Sequence, residues 1–491
     1  MKRIGIIGGG ISGLATAYRI QQAFASKGFP LEMIILEAGD RPGGKIQSEH
    51  REGYLCEWGP NGFLDSRPDT LELCEDLMMR DRLLPSRDAA RRRYICSKGR
   101  LHQVPETPSA FFRSNLLSVT GRIRILGELF ARPTPAGVDA SIYEFGARRI
   151  GREATEKLLD PMVSGIFAGD PAVMSLEACF PRIAELERNY GSLVKAMMRL
   201  AKERKQQARE HPDSEVQVSS VSERPKAQAG PAGPGGVLTS FHEGLEALVV
   251  TLTDRLGSVI HTGCLVQSIE DRGESKAGGR YRIMYQDTGS TSEWDADAVV
   301  LAVPAYAACT IISNMEKKAS DLLDEIPYSP LIVAGLGFRA SDLPGPLDGF
   351  GFLIPHKEGR KILGSLWCSS IFPGRAPEGR VLTRTMIGGY RNQRVMELDD
   401  TRLVEIVLEE YKEILKWNAP PVYVNIIRHS EAIPVYTLGH NKRLEMIEQL
   451  LSRHKGVYLT GNAYRGVALN DCTREAVRIA SRVREDLFQH I

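Results

Sequence analysis

The stretch Ile4-Gly-Ile-Ile-Gly-Gly-Gly-Ile-Ser-Gly13 decides how the chain begins to fold. Residues 4–7 are an apolar run typical of a buried strand, and a helical pattern begins at Ser12. The glycines between strand and helix fit the spacing G-x-G-x-x-G. A strand, a glycine-rich turn and a helix in this order predict the first half of a β-α-β unit.

Each spaced glycine has a separate physical role in such a turn. Gly8 allows the tight bend, Gly10 leaves room for a diphosphate, and Gly13 lets the helix pack closely on the strand. The N–H groups of Ile11 and Ser12 lie at the helix N-terminus, where the helix dipole favours an anion. The turn therefore predicts a phosphate-binding loop.

A second strand and an acidic residue complete the unit. The apolar run Leu31–Leu36 predicts the strand, and Glu37 closes it. A carboxylate at this place can accept hydrogen bonds from ribose hydroxyls. Strand, loop, helix and acid together predict dinucleotide binding, although a glycine-rich turn that binds nothing remains the alternative.

The composition is that of an ordinary globular protein. The 491 residues carry 63 basic and 61 acidic side chains, for a net charge of +2. The length supports two or three hydrophobic cores, and the charge argues against a protein that binds nucleic acid over its whole surface. The eight cysteines lack the spacing of a metal site, so we expect no bound metal and reduced thiols in a cytoplasmic compartment. We expect no transmembrane helix.

The chain changes character several times along its length. From about Arg80 to Lys205 the pattern is mainly helical, and residues 206–236 are polar and rich in proline, glycine and serine, which predicts a flexible excursion. Residues 238–256 are predicted to be helical, and 259–269 to form a strand. Short apolar runs separated by glycine and proline over 330–435 predict a large antiparallel sheet.

The segment after the second strand narrows the choice of dinucleotide. It reads Glu37-Ala38-Gly39-Asp40-Arg41-Pro42-Gly43-Gly44-Lys45. It resembles the second glycine signature of the FAD-dependent amine oxidase and phytoene desaturase superfamily. Arg41 offers a cation to a diphosphate, and the backbone at Gly43 and Gly44 can approach the flavin chain. An ordinary turn after a strand is the alternative.

The end of the chain carries a further resemblance to that superfamily. Leu459–Ala463, with Gly461 and Asn462, resembles its last flavin contact, where N-terminal amides of a helix face the ring system. The cofactor that these resemblances imply is FAD. We expect it to be non-covalent, because Gly461–Tyr464 contains no cysteine.

Within the superfamily, several strings resemble the protoporphyrinogen and coproporphyrinogen oxidases. They are Gly59–Phe63 (GPNGF), Arg93–Ile95 (RYI), Ser164–Asp170 (SGIFAGD), Gly349–Pro355 (GFGFLIP) and Phe372–Pro377 (FPGRAP). The resemblance implies α/β and α+β parts: a Rossmann-like, GR2-type FAD domain, a substrate domain with a large antiparallel sheet, and a mostly helical membrane-associated domain. We assign the FAD domain to residues 1–85, 237–308 and 455–491, the helical domain to 86–205, and the substrate domain to 309–454.

The same resemblance implies a reaction and a set of site residues. A porphyrinogen would lose six electrons to FAD, and dioxygen would reoxidise the flavin to give hydrogen peroxide, as in haem biosynthesis. No acid–base pair is required, because the pyrrole protons can leave to water.

The implied substrate-positioning residues are Arg93 on a propionate, Phe372 and Leu353 on the pyrrole rings, Gly169 near the macrocycle, and Asn61 near the reacting edge. The implied cofactor contacts are Gly8, Gly10, Ile11, Ser12, Gly13, Glu37, Ala38, Arg41, Gly43, Gly44, Lys45, Gly59, Pro60, Asn61, Val266, Gly461 and Asn462.

Other interpretations of these residues stay open. Phe372 and Leu353 are also compatible with core positions, Asn61 with a simple turn, and Arg93, which follows two arginines, with a solvated basic face. The chain could also be an amine oxidase, a carotenoid desaturase or a non-catalytic lipid carrier on the same scaffold. The sequence does not separate the two porphyrinogens, and it leaves a homodimer open.

One stretch has a strong local charge. Residues 80–132 hold 12 basic and 4 acidic side chains. Their apolar residues are Phe111, Phe112, Leu116, Leu117, Ile123, Ile125, Leu126, Leu129 and Phe130. This combination predicts docking to an anionic membrane surface, on the inner face of the cell membrane, with a helical core face carrying solvated arginines as the alternative.

Overall fold

The structure is a computed structural model that describes residues 1–105, 107–210, 236–273, 279–287 and 289–488. Most of the predicted excursion, residues 211–235, lies outside the described residues. Its first residues do not form a linker, because the helix Leu193–Glu210 runs through them. The predicted N-terminal boundary of the flexible segment, residue 206, is therefore wrong. Long polar side chains with high helix propensity, from Lys202 to Glu210, extend the helix beyond the apolar pattern.

A parallel sheet of five strands forms the centre of the N-terminal part. Its order is Ile260–His261, Leu31–Leu36, Lys2–Ile7, Ala298–Leu301 and Val457–Leu459. The helices Ile11–Ala25, Glu246–Leu256 and Leu469–Phe488 pack in the core on one face. On the other face lies a three-stranded antiparallel sheet, Cys264–Asp271, Tyr281–Asp287 and Ser290–Ala296. Coverage of both faces explains why these parallel strands read as continuous apolar runs. The predicted β-α-β unit is confirmed.

The helix predicted over 238–256 is wrong in its first part. Leu238–Phe241 is a strand that pairs with Leu83–Pro85 on one side and Phe63–Leu64 on the other. Gly244, with a φ of +97°, turns the chain before the helix Glu246–Leu256 begins. Pairing with strands far away in sequence decides the conformation here, and a local apolar pattern does not contain that information.

The predicted large sheet is present and has seven strands, which are antiparallel except for one parallel pair, Arg93–Ser97 with Gly351–Leu353. Its order is Tyr423–Pro434, Tyr328–Arg339, Arg380–Gly388, Gly364–Leu366, Gly351–Leu353, Arg93–Ser97 and Arg100–Gln103. The helix Asp400–Leu415 packs against it. A smaller two-stranded sheet is formed by Ser48–Arg51 and Tyr54–Glu57.

The last two strands of the large sheet correct the helical assignment of residues 86–205. Arg93–Ser97 and Arg100–Gln103 form a hairpin whose turn residues, Lys98 and Gly99, have φ values of +54° and +69°. Two positive φ values are what a tight hairpin turn requires. Arg93–Ser97 then pairs in parallel with Gly351–Leu353. Residues 93–103 therefore belong to the sheet of the predicted substrate domain, and the helices begin only after them.

The helical part that follows is held together by a buried cation. Arg149 is fully buried and contacts Glu128 at 3.1 Å and Glu187 at 2.6 Å. The helices of this part are Pro108–Arg113, Val119–Leu126, Ile142–Arg149, Arg152–Ala154, Asp160–Phe167, Leu176–Cys179, Pro181–Tyr190 and Leu193–Glu210. The remaining α-helices of the described residues are Pro68–Asp76, Ala305–Ile312, Lys317–Asp324, Cys368–Ile371 and His440–Leu451.

Not every apolar residue predicted for membrane docking is exposed. Leu116 and Leu117 are buried, because they pack into the protein interior. The side chain of Phe112 lies outside the described part of the chain. Among the described residues, no helix combines the length and the apolar character needed to cross a membrane.

Candidate functional site

The glycine-rich turn has the geometry predicted for a phosphate-binding loop. Gly8 has a φ of +102°, and a Cβ atom there would lie 2.8 Å from the carbonyl oxygen of Ala302. A Cβ atom on Gly13 would lie only 1.9 Å from the carbonyl oxygen of Gly8. Gly10 differs, since a Cβ atom there would meet no described atom within 4 Å. Gly8 and Gly13 are thus required by packing, and Gly10 faces open space where the helix Ile11–Ala25 begins.

The carboxylate of Glu37 lies directly beside this turn. It accepts the backbone N–H of Gly9 at 2.7 Å and that of Gly39 at 2.8 Å. A carboxylate offers about four acceptor positions, so ribose hydroxyls can still bind after two are used. Ala38 is exposed at the same edge. Val266 is buried in the strand whose first residue, Cys264, donates its N–H to the carbonyl oxygen of Glu37 at 2.8 Å.

The structure brings the second glycine signature into contact with the first. The N–H of Gly43 donates to the carbonyl oxygen of Gly9 at 2.8 Å. Gly43 and Gly44 have φ values of +108° and +58°, a conformation that favours glycine. A Cβ atom on Gly44 would lie 3.5 Å from the Cα atom of Gly10. Two segments that the sequence analysis identified separately therefore form one backbone surface.

The two cationic side chains of this signature, Arg41 and Lys45, both donate hydrogen bonds to other groups of the protein. Arg41 donates to the carbonyl oxygen of Gly44 at 3.0 Å and to the side chain of Gln47 at 2.6 Å. It therefore organises the loop, and its expected contact with a diphosphate stays a prediction. The ammonium group of Lys45 donates to the carbonyl oxygen of Ala432 at 2.6 Å. Burial lowers the pKa of Lys45 to about 8.

The Gly59–Asn61 turn packs against the second glycine signature, at Lys45. A Cβ atom on Gly59 would lie 2.2 Å from the carbonyl oxygen of Lys45, so only glycine fits. On its other side, Arg384 Nη2 donates to the carbonyl oxygen of Gly59 at 2.7 Å. Pro60 is exposed between them. Arg384 was not predicted as a site residue, although an arginine inside the apolar strand Arg380–Gly388 is an unusual signal.

The C-terminal loop also contributes an open backbone surface. Gly461 has a φ of +130°, and a Cβ atom there would meet no described atom within 4 Å. The carbonyl oxygen of Asn462 accepts the hydroxyl of Tyr436 at 2.6 Å. A loop separates this segment from the helix Leu469–Phe488, which begins six residues after Ala463. The intervening turn is closed by Asp471, whose carboxylate accepts the N–H of Ala468 at 3.2 Å.

The residues around Tyr436 form a rigid support for this loop. The ring of His440 stacks on that of Tyr436, with a centroid distance of 4.1 Å. His440 Nε2 lies 3.1 Å from the carbonyl oxygen of Tyr464. Burial lowers the pKa of His440 to about 4, so the ring is neutral at pH 7. Neither Tyr436 nor His440 was predicted, since each acts on a segment more than 20 residues away.

Of the predicted substrate residues, Arg93 and Phe372 lie in one neighbourhood. Arg93 pairs with Gly351 in the large sheet, and its guanidinium lies 5.4 Å from the ring centroid of Phe350. Phe350 packs against the buried cluster that contains Phe372. Phe372 itself is fully buried, which favours the core alternative; a contact with substrate stays a prediction. A small pocket of about 40 Å³ is lined by Arg87, Arg91, Arg93, Leu238, Phe350 and five other residues.

Leu353 and Gly169 both lie next to the helix Asp160–Phe167. A Cβ atom on Gly165 would lie 2.7 Å from Leu353, so the leucine rests directly on the helix Asp160–Phe167. That helix ends at Ala168, which has a φ of +48°, and Gly169 follows. A Cβ atom on Gly169 would clash with the sulfur of Met174 at 2.2 Å. Leu353 is half-buried and remains able to contact a ligand.

Comparison with known proteins agrees with this geometry. A family model for flavin containing amine oxidoreductases matches residues 11–484. The chain is 33% identical to the chloroplastic protoporphyrinogen oxidase of Nicotiana tabacum, over 97% of this chain and 84% of the relative. It is 30% identical to the coproporphyrinogen III oxidase of Bacillus subtilis, over 99% of both chains.

A solved structure shows the same fold. The crystal structure of an Exiguobacterium protein, named as a candidate protoporphyrinogen oxidase, has a TM-score of 0.77 and 24% identity over 98% of each chain. The sequence, the site and the comparisons agree that the chain belongs to the family of flavin containing amine oxidoreductases, and within it to the group of the protoporphyrinogen and coproporphyrinogen oxidases.

Proposed function

We propose that this protein is a FAD-dependent oxidase that converts a porphyrinogen into a porphyrin in haem biosynthesis. The observation that carries the proposal is full-length similarity to relatives named for this substrate class, from a plant and from a bacterium. Six electrons and six protons leave the porphyrinogen. Three molecules of dioxygen accept them and become three molecules of hydrogen peroxide.

The residues present fit non-covalent FAD. Open space lies beside Gly10 and Gly461, where ligand backbone contacts are expected, and Glu37 keeps free acceptor positions for ribose. Buried polar atoms without partners also lie in these segments: the side-chain nitrogen of Asn61 and the hydroxyl of Thr460. Such atoms are costly unless a ligand or water satisfies them. Gly461–Tyr464 offers no cysteine for a covalent link.

The protein's own task is to bind and orient the macrocycle. Bound FAD supplies the redox chemistry by accepting hydride from the substrate. Arg93 would grip a propionate, and its stacking on Phe350 limits the directions in which the guanidinium can point. Leu353 and Phe372 would contact the pyrrole rings, as the resemblance to the family implies. The Gly169 backbone would lie near the macrocycle edge.

We retain three functional parts as a proposal. The FAD part comprises residues 1–85, 237–308 and 455–491, which hold the parallel sheet and the glycine turn. The substrate part comprises 309–454, to which the strands within 93–103 are added by their pairing with Gly351–Leu353. The helical part comprises the remainder of 86–205.

The helical part supports docking to an anionic membrane surface. Four apolar side chains, spaced at three or four residues, are exposed along one helix and the turn after it: Val119, Ile123, Leu126 and Phe130. We call this set the exposed apolar face. Phe130 is 87% exposed, which is unusual for a phenylalanine without a partner surface. Together with the basic residues of 80–132, the face suits shallow insertion into a cytoplasmic membrane leaflet.

The decisive experiment uses the purified full-length protein. We expect a yellow protein with flavin absorbance, which bleaches when protoporphyrinogen IX or coproporphyrinogen III is added without oxygen. With oxygen, porphyrin fluorescence should rise as hydrogen peroxide accumulates, and the ratio of the two rates identifies the substrate. A colourless protein would favour the lipid carrier, and a flavoprotein bleached by neither porphyrinogen would favour an amine oxidase or a carotenoid desaturase.

A further inference from the structure

Arg384 is a buried cation in direct contact with the Gly59–Asn61 turn. Its side chain extends from the strand Arg380–Gly388, and only 3% of its surface is exposed. Nη2 donates to the carbonyl oxygen of Gly59 at 2.7 Å, and Nη1 lies 3.5 Å from Oδ1 of Asn61. The first is a strong hydrogen bond and the second a long one. Arg384 thus contacts both ends of a turn that we place at the cofactor.

The charge of Arg384 has no close counter-ion. Among the described residues, no carboxylate oxygen lies within 4.0 Å of its guanidinium. The buried Glu57 interacts with Arg384 only through longer-range charge attraction, and its direct contacts are Ser48 Oγ at 2.6 Å, the N–H of Leu245 at 2.8 Å and the neighbouring Arg375 at 3.8 Å. A buried cation is rarely retained without a carboxylate partner, so the acceptors on the turn are its main compensation.

The chemistry of the pair fixes which way the amide of Asn61 faces. A guanidinium has only N–H donors, so the amide of Asn61 is favoured with its oxygen toward Arg384. With the amide reversed, the NH2 group would face another set of donors. In the observed orientation, Nδ2 of Asn61 is buried and has no hydrogen-bond partner among the described residues. Asn61 therefore offers a donor on the side away from Arg384.

We propose that Arg384 is a positioning residue, which fixes the side-chain amide of Asn61 so that its NH2 group is the atom presented to the bound flavin or substrate. This inference rests on the proposed function, because Asn61 is placed at the site only by that proposal. The ligand atom that meets the NH2 group must be a hydrogen-bond acceptor.

A double-mutant cycle on the purified holoenzyme tests the inference. The variants are Asn61→Ala, Arg384→Met, the double variant, and Arg384→Lys as the conservative change. Arg380→Met, on the same strand, is the matched control. The readouts are kcat and KM for the better porphyrinogen, the visible spectrum of the flavin, and the Kd for FAD.

If Arg384 acts through Asn61, both substitutions remove the same interaction. Each single variant should lower kcat/KM by about tenfold or more. The kcat/KM of the double variant should be no lower than that of the less active single variant. The flavin spectrum should shift in the same sense in Asn61→Ala and Arg384→Met. Arg384→Lys should recover part of the loss, because lysine still donates to the turn, and Arg380→Met should resemble wild type.

Two outcomes would overturn the inference. One is a double variant whose loss is the product of the two single losses, since independent effects multiply. The other is an Arg384→Met variant with unchanged kcat/KM and an unchanged spectrum. If wild type oxidises neither porphyrinogen, the proposed function fails, and the same cycle read through the Kd for FAD still tests Arg384.

Discussion

The hydroxyl of Tyr436 donates a hydrogen bond of 2.6 Å to the carbonyl oxygen of Asn462. The hydroxyl oxygen of Tyr436 also accepts the N–H of Gly466 at 2.9 Å. One buried phenol therefore holds both ends of the loop expected to contact the flavin. Burial raises the pKa of Tyr436 well above its ordinary value, so the hydroxyl stays protonated and keeps its donor function.

Removal of this hydroxyl should loosen the loop without opening the core. In Tyr436→Phe the ring can still stack on His440, but two buried backbone groups lose their partner, at a cost of about 1–3 kcal/mol. We expect a lower thermal midpoint and a higher Kd for FAD, measured by the fluorescence of released flavin. Tyr306→Phe, at a half-exposed tyrosine, is the control. Unchanged FAD affinity in Tyr436→Phe would show that the loop does not need this support.

Gly10 and Gly13 should respond to substitution in opposite ways. A valine at residue 10 has room in the protein, because a Cβ atom there meets no described atom within 4 Å, but it would occupy the space left for the diphosphate. We expect Gly10→Val to fold normally and to be purified without colour. Gly13→Ala places a Cβ atom 1.9 Å from the Gly8 oxygen, so it should lower stability by about 1–3 kcal/mol. Stoichiometric FAD in Gly10→Val would contradict the assignment of this loop.

The glycine turn could be predicted because its spacing and the strand and helix beside it lie in one short stretch of sequence. Gly13 is fixed by a contact within this turn, with the carbonyl oxygen of Gly8, whereas the close contact at Gly8 comes from Ala302, after a parallel strand far along the chain. The strand and helix around them follow from apolar periodicity. Open space at Gly10 could be inferred only from the spacing of the motif, and the structure confirms it.

The supports of the site could not be predicted, because their partners are distant in the chain. Arg384 acts on residues more than 300 positions earlier, and Tyr436 acts on a loop 26 positions later. No local pattern contains such a contact. The hairpin at residues 93–103 was missed for the same reason, since a strand joins the large sheet by pairing with Gly351–Leu353. Only Lys98-Gly99 offered a signal, as a turn between two apolar segments.

The buried cation Arg149 should give the helical part a characteristic pH dependence. Burial raises the pKa of Glu128 and of Glu187, but hydrogen bonds and the charge of Arg149 outweigh it and leave both below their ordinary value of 4.5. Groups with a depressed pKa stabilise the fold above their ordinary pKa, and this contribution disappears as the pH falls through their lower pKa in the folded protein. Thermal stability should therefore fall steeply below about pH 4.5.

Arg149→Met should destabilise the protein and weaken this dependence. Two carboxylates would be left buried without their cation, at a cost of about 3–5 kcal/mol at pH 7. The pKa values of these two carboxyl groups then rise, so they become protonated at a higher pH than in wild type. The stability lost in the variant relative to wild type should therefore shrink toward pH 4. Arg182→Met, which breaks an exposed pair with Glu185, should cost less than about 1 kcal/mol. Thermal midpoints at several pH values decide, and a deficit that is constant with pH would refute the account.

Membrane docking should depend on the exposed apolar face. We expect the protein to float with vesicles that contain phosphatidylglycerol, to bind neutral vesicles more weakly, and to lose binding at high salt. The double variant Ile123→Glu/Phe130→Glu should lower vesicle binding about tenfold or more, since it removes apolar insertion and adds negative charge. Met446→Glu, at an exposed methionine on another helix, is the control. Equal binding to neutral and anionic vesicles, or none at low salt, would reject docking.

Arg93 offers the sharpest test of substrate placement. A porphyrinogen is a large apolar disc whose strong charges are its carboxylates, so a grip on one propionate fixes its rotation, and the planar guanidinium suits a bidentate contact. A charge-assisted contact contributes about 1.5–3 kcal/mol, which predicts a roughly ten- to 150-fold lower kcat/KM in Arg93→Ala. Arg93→Lys should recover only part of this, because an ammonium group lacks the planar fork.

Arg92 pairs with Asp348, and Arg91 lies 3.8 Å from Asp88, so Arg91→Ala and Arg92→Ala should change kcat/KM little. Flavin spectra and thermal midpoints should stay near wild type in all four variants. Equal losses at all three arginines would indicate a diffuse basic surface, and unchanged kinetics in Arg93→Ala would remove the residue from the site.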